Sequence, residues 1–456
     1  MPERSSSSCP WSSSTSSSSA ISSKASFPAP SNRRQLMSVT LAIVGAGARG
    51  AAYARLAVAT TKATIAAVAD PDPARRITLA DEFDVPAEHR FASWEELAAH
   101  PRLADAVIVA TPDRAHDEPV VAFAMLGYAI LLEKPMAPLP EQAERIVAAA
   151  VDNDVLLAVC HVLRYTPYSR TLKRLIDSGR IGTIVSIDHL EPVGWWHHAH
   201  SYVRGQWAVE AESSSMLLAK SCHDIDWLGH LIGRPVRRVS SFGGLAHFRP
   251  ENRPAGATER CVDCPVERSC AYSAIRIYER FLGDPVHEAW PLGVLTDDVS
   301  VGGVRKALED GPYGVCVYTG RNDVVDHQVV NLEYEGGITV AFTMTAFTAL
   351  DFRKTRIFGT HGSIEGDGRT LRVHDFLTDT LETIDLDPDG DASAADGHGG
   401  ADGALIEAFI AAVATGDRAL VTSGPEESIS SHRVVWAAEQ SRATGSVVEL
   451  SPATPM

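Results

Sequence analysis

A G-x-G-x-x-G pattern directly follows the first apolar run of the chain, Val39–Val44. The residues of the turn are Gly45, Gly47, Ala48, Arg49 and Gly50. In this pattern the first glycine makes a tight turn, the second lets a pyrophosphate approach the backbone, and the third packs helix on strand. The N–H groups that open the following helix then face the phosphates. The pattern predicts a dinucleotide-binding turn, with a purely structural glycine turn as the alternative.

An acidic side chain at the end of the second apolar run indicates which nicotinamide cofactor fits. Asp70 follows Ile65–Ala69 in the sequence. A carboxylate at this position accepts a hydrogen bond from the ribose 2′-hydroxyl of NAD and repels the 2′-phosphate of NADP. We therefore expect NAD, while Arg75 and Arg76, close behind Asp70, keep NADP open as the alternative.

Two further polar motifs stand where later apolar runs end. Thr111-Pro112 follows Ala106–Ala110, and Glu133-Lys134-Pro135 follows Ala129–Leu132. In a doubly wound sheet the ligand binds outside the carboxyl ends of the strands, so both motifs face the same crevice. The sequence thus adds these expected cofactor-binding residues: Thr111, Pro112, His116, Glu133 and Lys134.

A parallel sheet is needed to position these motifs, and the apolar pattern supplies one. From residue 39 to 160, short continuous apolar runs alternate with helical patterns, which predicts an α/β domain whose sheet is covered on both faces. After about residue 180 the apolar runs become longer and alternate with polar residues. Val325–Tyr334 and Ile338–Thr345, joined by Glu335-Gly336-Gly337, predict a hairpin of a mostly antiparallel second sheet.

The glycine turn, Thr111-Pro112 with His116, and Glu133-Lys134-Pro135 together resemble the Gfo/Idh/MocA family of NAD(P)-dependent oxidoreductases. The resemblance runs from about residue 38 to residue 450. It implies a Rossmann domain with a doubly wound parallel sheet, followed by an α/β domain with a large, mostly antiparallel open-faced sheet. Most members oxidise or reduce a secondary alcohol of a sugar, cyclitol or polyol, and the lysine that corresponds to Lys134 lies at the reacting hydroxyl. A lysine there can relay the hydroxyl proton while hydride moves to the nicotinamide.

One motif of the family is altered in this chain. Members often carry an Asp and a His four residues apart on a helix that lines the active site. Here His223 matches the His, but Ala219 stands at the position of the Asp. Lys220 and Asp224 come next to these two residues, and their four-residue spacing places them on one face of a helix. We expect Lys134 and His223 to transfer protons, with Lys220 as a second cation and Asp224 as an orienting carboxylate. A plain helical ion pair between Lys220 and Asp224 is the alternative.

Aromatic and polar residues beyond the first domain are candidates for contact with the substrate. Aromatic faces and polar donors suit a sugar ring, whose C–H faces are apolar and whose hydroxyl groups need partners. A surface loop with stacked aromatic side chains is the alternative. The expected substrate-binding residues are Arg164 and Tyr165, which belong to the family resemblance, and His200, Tyr202, Arg204 and His398.

Cys261, Cys264 and Cys270 are separated by two and by five residues. Three thiolates at this spacing can hold a structural Zn²⁺, but a tetrahedral site needs a fourth ligand. Cys222 and His247 are the candidates for that ligand. Reduced structural cysteines or a disulfide are the alternatives.

Composition limits the partners and the compartment. Lys and Arg number 41 against 58 Asp and Glu, and this net charge of −17 argues against nucleic acid or an anionic membrane as partner. No apolar run approaches the roughly 18–20 residues that span a bilayer. Seven cysteines in 456 residues suit a reducing compartment, so we expect a cytoplasmic protein. The expected organisation is a disordered serine-rich tail over residues 1–36, a Rossmann NAD-binding domain over 37–160, and a substrate-binding and oligomerisation domain over 161–456.

The residues and the resemblance together predict an NAD(P)-dependent dehydrogenase that moves hydride between a nicotinamide and a secondary hydroxyl of a sugar, glycoside or cyclitol. The expected partners are a small sugar or polyol and further copies of the same chain in a homo-oligomer. One alternative is a glycoside-cleaving enzyme with retained NAD, which oxidises the sugar transiently and eliminates the aglycone. Another is a non-catalytic regulator that binds sugar or nucleotide. Retention of Lys134 and His223 argues against the regulator, because a binding module needs no proton relay.

Overall fold

The computed structural model describes residues 38–387 and 400–451. The tail expected over residues 1–36 and the substrate candidate His398 lie outside the described residues. Among the residues it describes, no helix is both long enough and apolar enough to cross a bilayer.

In the described part of the chain, the first sheet has six strands. They are β1 (Val39–Val44), β2 (Ala63–Ala69), β3 (Arg90–Phe91), β4 (Ala106–Val109), β5 (Ala129–Leu132) and β6 (Leu157–Val159). Their spatial order is β3-β2-β1-β4-β5-β6, and every neighbouring pair is parallel. The predicted doubly wound sheet is therefore confirmed. The strand order reverses between β1 and β4, so a crevice opens at the carboxyl ends of these two strands.

Helices cover both faces of this sheet. They are α1 (Ala48–Ala59), α2 (Pro73–Glu82), α3 (Trp94–Ala98), α4 (Asp117–Met125) and α5 (Pro140–Asp152). Successive residues of a strand point to opposite faces. Leu41 and Ile43 of β1 accordingly lie in one apolar core, and Ala42 and Val44 lie in another. Burial on both faces explains why the strands are continuous apolar runs in the sequence.

Within the described ranges, the second sheet has nine strands. They are β7 (Ile184–Pro192), β8 (Val236–Gly244), β9 (His327–Tyr334), β10 (Thr339–Thr345), β11 (Lys354–Gly359), β12 (Gly362–Gly366), β13 (Thr370–Asp375), β14 (Thr380–Asp385) and β15 (Val448–Glu449). Their order is β14-β13-β12-β11-β7-β10-β9-β8-β15, with β7 and β10 parallel and the other pairs antiparallel. The predicted hairpin joins β9 to β10, and Gly336 and Gly337 both adopt positive φ in its turn.

The remaining helices follow the first domain. They are α6 (Pro167–Asp177), α7 (Trp195–His198), α8 (Met216–Ile232), α9 (Ala274–Glu279), α10 (Pro285–His287), α11 (Gly293–Leu295), α12 (Val301–Asp310), α13 (Ala401–Thr415) and α14 (Pro425–Thr444). Helices α8 and α14 share an apolar core with one face of the second sheet. The opposite face carries exposed side chains that include Phe242, Val329 and Phe358. The second sheet is therefore open-faced, as expected.

Helix α8 has clear sequence signals at both ends. The Ser215 side chain accepts a hydrogen bond from the backbone N–H of Leu218, which caps the N-terminus. Gly233 ends the helix in the left-handed conformation, with φ of +66°. Between these ends, α8 is mostly buried and carries Ala219, Lys220, His223 and Asp224.

A long insert over residues 245–326 separates β8 from β9 and has an apolar core of its own. Tyr278, Phe281, Leu292 and Leu308 of the insert pack in this core with Trp196 from α7. The sequence pattern predicted β9, which follows the insert, but neither β8 before it nor the insert as a separate packing unit. The three cysteines singled out by their spacing belong to this insert.

Candidate active site

The three glycines of the turn differ in what a side chain at each position would meet. Gly45 has φ of +96°, and a Cβ there would lie 2.5 Å from the carbonyl oxygen of Ala110. A Cβ at Gly50 would overlap with the carbonyl of Gly45, so α1 packs directly on the turn. A Cβ at Gly47 would meet nothing within 4 Å. Gly47 therefore leaves open space at the N-terminus of α1, and this geometry fits the pyrophosphate of a dinucleotide.

Asp70 is buried at the carboxyl end of β2, next to the glycine turn. Its Oδ2 accepts a hydrogen bond from the N–H of Ala46 at 2.6 Å, and its Oδ1 accepts one from the N–H of Asp72 at 2.8 Å. These bonds fix the carboxylate beside the turn. Arg76 donates to the main-chain oxygen of Asp70 at 2.5 Å, and Arg75 lies 3.6 Å from the Asp72 carboxylate. Both arginines thus already have acidic or carbonyl partners.

Arg49 and Glu133 form an ion pair between the glycine helix and the motif after β5. Arg49 Nε lies 2.6 Å from Glu133 Oε1, and its other nitrogens donate to Asp402 of α13 at 2.8 and 3.0 Å. Tyr53 donates to Glu133 at 2.8 Å. Burial acts to raise the pKa of Glu133, but the charges of Arg49 and Lys134 outweigh it and lower that pKa. Glu133 is therefore ionised and links the glycine helix to the motif after β5. Its contact with a cofactor stays a prediction.

His116 connects the two motifs that follow β4 and β5. One ring nitrogen lies 2.9 Å from the carbonyl oxygen of Thr111, and the other lies 2.9 Å from that of Pro135. Thr111 Oγ1 donates to the carbonyl of Ala115 at 2.9 Å. Pro112 precedes the short turn over residues 113–115. The crevice wall formed by these residues is thus held together by His116.

Lys134 reaches from the first sheet to α8. Its Nζ donates a hydrogen bond to the main-chain oxygen of Ala219 at 2.7 Å. In an α-helix that carbonyl also accepts the N–H of the residue four positions on, which is His223. Lys134 Nζ therefore contacts α8 one helical turn before His223, while the proton-transfer roles of both residues stay predictions.

Two further histidines, His161 and His432, lie behind His223. The His161 ring centroid is 6.0 Å from that of His223 and 5.9 Å from that of His432. Burial lowers the pKa of His161 to about 4, and the charge of Asp226 opposes this shift only in part. His161 is consequently neutral at pH 7.

Lys220 and Asp224 pair with other residues rather than with each other. Lys220 Nζ lies 3.2 Å from Glu191 of β7. Asp224 Oδ1 lies 2.8 Å from Arg353 Nε and 3.1 Å from His189 Nε2, and Arg353 also lies 2.7 Å from Glu191. The alternative of a helical ion pair is therefore wrong. Asp224 contacts Arg353 and His189, and its role as an orienting carboxylate in the reaction stays a prediction.

The pKa values of Lys220 and Asp224 are both lowered, but for different reasons. Burial is the main cause that lowers the pKa of Lys220, against the opposing charge of Glu191. Burial acts to raise the pKa of Asp224, but Arg353 and His189 overcome it and hold that pKa well below its ordinary value. A buried, ionised network thus connects α8 to the second sheet.

Arg164 and Tyr165 make internal contacts, whereas the resemblance placed them at the substrate. The Arg164 guanidinium bonds both oxygens of Asp226 at 2.7 Å and also donates to the carbonyl of Thr422. The Tyr165 hydroxyl accepts from the N–H of Thr422 at 3.0 Å and lies 3.1 Å from Ser423 Oγ. These side chains fasten α8 and the segment before α14 to the first domain.

His200 and Arg204 lie in the core of the insert rather than at Lys134. His200 Nδ1 is 2.9 Å from the Tyr278 hydroxyl, and burial lowers its pKa to about 3. Arg204 donates to the carbonyl oxygens of Val315 at 2.7 Å and Tyr272 at 2.8 Å. Both contacts correct the expectation that these side chains bind substrate directly.

Tyr202, another substrate candidate, packs in the apolar core that contains α8. Its ring lies against His198 and Trp207, with centroids 5.5 and 6.0 Å away. Burial raises its pKa, and the charges of Glu191 and Asp113 add to the increase. Tyr202 therefore stays a neutral hydroxyl, and its contact with substrate stays a prediction.

The three spaced cysteines line one small cavity together with Cys316. Neither predicted fourth ligand takes part, since Cys222 is buried within α8 and His247 Nε2 lies 2.9 Å from the Tyr318 hydroxyl. Across the described residues, no group of three or more His, Cys, Asp or Glu side chains has the arrangement of a metal site. The expectation of a zinc site formed with Cys222 or His247 is therefore wrong.

Comparison with known proteins identifies the family. Residues 39–161 match the NAD-binding Rossmann fold of the Gfo/Idh/MocA oxidoreductases, and residues 173–450 match the C-terminal alpha/beta domain of the same family. The chain belongs to the Gfo/Idh/MocA oxidoreductase family. The resemblance carried by the glycine turn and the Glu133-Lys134-Pro135 motif is thereby confirmed.

Curated members of the Gfo/Idh/MocA family differ in what they do. The oxidoreductase YteT of Bacillus subtilis is 24% identical over 66% of this chain and 71% of its own length. The 2,7-anhydro-N-acetylneuraminate hydratase of Escherichia coli is 31% identical over 46% of this chain and 55% of its own length. Inositol 2-dehydrogenase of Corynebacterium glutamicum (strain ATCC 13032) is 31% identical over 44% of this chain and 56% of its own length. The chain thus spans little more than half of the hydratase and of the inositol dehydrogenase.

Solved structures share the fold over nearly the whole chain. An oxidoreductase from Agrobacterium radiobacter in complex with NAD⁺, L-tartaric acid and magnesium has a TM-score of 0.66, at 17% identity over 91% of this chain and 98% of its own. A levoglucosan dehydrogenase in complex with NADH and levoglucosan has a TM-score of 0.63, at 18% identity over 90% of this chain and 99% of its own. At this identity the likeness shows the Gfo/Idh/MocA fold alone.

Three residues near the Gfo/Idh/MocA site escaped the sequence analysis, namely Glu191, His161 and Arg353, as did Cys316 in the insert. A signal exists for the first two. Glu191 is a charged residue inside a strand, and His161 lies two residues after the last parallel strand, as Thr111 lies two residues after β4. Arg353 and Cys316 have no such local signal, because their partners come from distant parts of the chain.

Proposed function

We propose that this chain is an NAD-dependent dehydrogenase that oxidises a secondary hydroxyl of a sugar or cyclitol. The observation that carries the proposal is the bond from Lys134 to Ala219, which holds an ammonium group between the cofactor crevice and His223. The relatives support it, because inositol 2-dehydrogenase and levoglucosan dehydrogenase are named for oxidation of cyclic polyols.

The geometry around the glycine turn supports NAD over NADP. Gly47 leaves room for a pyrophosphate, and the buried Asp70 carboxylate lies beside the turn where an adenosine ribose would lie. A second negative charge from a 2′-phosphate would be repelled there. Because Arg75 and Arg76 already contact Asp72 and the main chain of Asp70, neither is reserved for such a phosphate.

The proposed chemistry assigns the proton to Lys134. NAD, when bound, supplies the acceptor for the hydride that leaves the substrate carbon. In the described part of the chain, the oxygen of Ala219 is the one hydrogen-bond partner of Lys134 Nζ. The amine therefore retains capacity to bind a substrate hydroxyl. In its neutral form, Nζ takes the hydroxyl proton as the carbon–hydrogen bond breaks. His223, one turn further on α8, assists this transfer.

Lys220 and Arg353 are two further cations on the α8 side of the site, and Glu191 pairs with both. At position 219, where the family resemblance implies a carboxylate, this chain has Ala219, so α8 presents no acidic side chain to the Lys134 amine at that position.

A second candidate is an enzyme that retains its NAD and catalyses no net redox change. The hydratase among the relatives favours it, because addition of water leaves the oxidation state of the substrate unchanged overall. Such an enzyme oxidises a sugar transiently, eliminates or adds a group, and then reduces the ring. The same Lys134 serves both candidates, since each requires oxidation of a hydroxyl.

A substrate panel separates the two candidates. Purified protein is incubated with NAD⁺ and myo-inositol, levoglucosan, free aldoses, uronic acids and aryl glycosides, and both NADH absorbance at 340 nm and products by mass spectrometry are followed. The first candidate predicts NADH and a keto product in equal amounts. Product without NADH would support the second candidate. Lys134→Ala is expected to abolish either reaction, while Lys62→Ala, an exposed lysine of the same domain, leaves it intact.

We also propose that the open face of the second sheet joins copies of this chain. Phe242 and Val329 are cross-strand neighbours on that face and are 64% and 36% exposed. Exposed apolar side chains in a row favour a protein interface. Light scattering tests this, since Phe242→Lys with Val329→Lys is expected to reduce the oligomer to smaller species. The cytoplasmic location stays a prediction.

A further inference from the structure

Four cysteines from two distant parts of the insert line one cavity. Cys261, Cys264 and Cys270 precede α9, and Cys316 lies between α12 and β9. All four line the same cavity of about 20 Å³, together with Arg204. Two closely spaced cysteines followed by more distant ones give the ligand set of structural zinc sites. The sequence alone did not identify Cys316, because no motif marks it.

Donor groups surround the four sulfurs. The backbone N–H of Tyr272 hydrogen-bonds to the Cys270 sulfur, and that of Tyr318 hydrogen-bonds to the Cys316 sulfur. Arg204 Nη2 lies 3.6 Å from Cys261 Sγ. N–H groups and a cation stabilise thiolates, which are the form of cysteine that binds metal. These contacts place hydrogen-bond donors at three of the four sulfurs.

Arg204 gives an independent indication of a missing partner. The residue is 5% exposed, and within the described residues its Nη1 is buried without a hydrogen-bond partner. A buried guanidinium needs a compensating negative charge nearby. A divalent cation with four thiolates carries a net charge of −2, which would balance Arg204.

The donor set indicates the kind of ligand. The cavity of about 20 Å³ holds roughly one water-sized sphere, which is enough for a single ion. Four thiolates and no open position favour Zn²⁺ among single ions, in a structural rather than a catalytic role.

We propose that Cys261, Cys264, Cys270 and Cys316 bind one Zn²⁺ ion that fastens the insert over residues 245–326. In the described residues the sulfurs do not yet have the arrangement of a metal site, so binding draws them together. The proposal is independent of the dehydrogenase activity.

The ion would also set the position of a segment next to the active site. Cys261 lies in the same apolar core as Trp196 and Val203. These two residues flank Tyr202 closely in the chain, and Tyr202 packs in the core that contains α8. A metal that rigidifies the insert therefore stabilises the wall of the site without touching Lys134.

Metal content of the full chain tests the proposal. Protein expressed with zinc in the medium and purified without chelator is expected to contain one Zn²⁺ per chain by mass spectrometry of the metal. Cys316→Ser is expected to lose the ion, while Cys160→Ala, a buried cysteine of the first domain, keeps it. Replacement by Co²⁺ is expected to give the intense visible bands of a tetrahedral thiolate site.

Two measurements on the wild-type protein test the proposal even if the Cys316→Ser variant does not fold. Chelation of the wild-type protein is expected to lower its melting temperature, and added Zn²⁺ is expected to restore it. Alkylation of the native protein without reductant is expected to modify the four thiols only after chelation. Wild type without zinc or cobalt bands, a disulfide among these cysteines, or a Cys316→Ser protein that retains one ion would each overturn the proposal.

Discussion

Lys134 Nζ donates to the main-chain oxygen of Ala219 at 2.7 Å, at the position where other members of the family often have a carboxylate side chain. The lysine side chain thus contacts the backbone of α8. The methyl group of Ala219 stands where those members have a negative charge. A neutral carbonyl does not attract an ammonium as strongly as a carboxylate would. We expect this relationship to influence the pH range in which the proposed enzyme works.

Restoring the carboxylate is expected to shift that range. In Ala219→Asp a negative charge next to Lys134 favours the ammonium, so the basic form appears only at higher pH. The acidic limb of the kcat/KM profile is expected to move upward by about one pH unit or more. Ala219→Asn has the same size without the charge and is the matched control. Equal shifts in both variants would show that size, and not charge, is responsible.

Asp70 is expected to determine the choice between NAD and NADP. In Asp70→Asn the bond to the ribose hydroxyl weakens and the repulsion of a 2′-phosphate disappears. Loss of a hydrogen bond to a charged group costs about 1.5–3 kcal/mol, which predicts a KM for NAD about 10–100-fold higher. Steady-state kinetics with both cofactors measure this. Asp72→Asn, which retains a cap on α2, is expected to leave the preference unchanged.

Arg353 is expected to be essential for stability. Its loss leaves Asp224 and Glu191 buried with fewer positive partners, and breaking a buried ion pair costs about 3–5 kcal/mol. Urea unfolding of Arg353→Met is expected to show a loss of this size. Adding Asp224→Asn removes the stranded charge and is expected to recover part of it. Arg356→Met, an exposed residue of β11, the strand that begins directly after Arg353, is expected to change stability by less than about 0.5 kcal/mol.

Acid is expected to destabilise the fold through its buried histidines. The pKa of His161 falls from 6.5 to about 4 on burial. Between these two pH values, the unfolded chain therefore binds a proton that the folded chain does not bind. Stability is therefore present above pH 6.5 and is lost as the pH falls toward 4. From pH 7.5 to 5 this one group contributes a loss of about 2 kcal/mol.

Substitution of His161 tests this linkage. Unfolding free energies are compared at pH 7.5 and pH 5 for wild type, His161→Leu and His361→Gln, which alters an exposed histidine. His161→Leu is expected to show a pH dependence smaller by about 2 kcal/mol, whatever its stability at pH 7.5. An unchanged dependence would mean that His161 is not the group that titrates.

Local signals in the sequence predicted the first domain closely. Continuous apolar runs and the glycine turn are properties of neighbouring residues, so β1, α1 and the position of Lys134 could be read directly. Strand β3 was missed, because two residues carry no periodic pattern. The hairpin of β9 and β10 was likewise evident from its glycines.

Contacts between distant parts of the chain explain which side-chain partners could not be predicted from the sequence. Arg353 meets Asp224 across 129 positions of the chain, and spacing on α8 alone suggested Lys220 as its partner. Arg164, His200 and Arg204 have the chemistry of ligand-binding residues, yet the fold uses each of them inside a core. Residue type indicated what these side chains can bind, but only tertiary structure determined what they contact.

The most direct test of the central claim follows the hydride itself. A substrate found in the panel is prepared with deuterium on the carbon that carries the reacting hydroxyl, and the nicotinamide product is analysed by mass spectrometry. Wild type is expected to transfer deuterium to NAD⁺ in a single turnover, and Lys134→Ala is expected to do so at least about 100-fold more slowly while still binding NAD. Product without deuterium in the cofactor, or unchanged transfer in Lys134→Ala, would contradict the account.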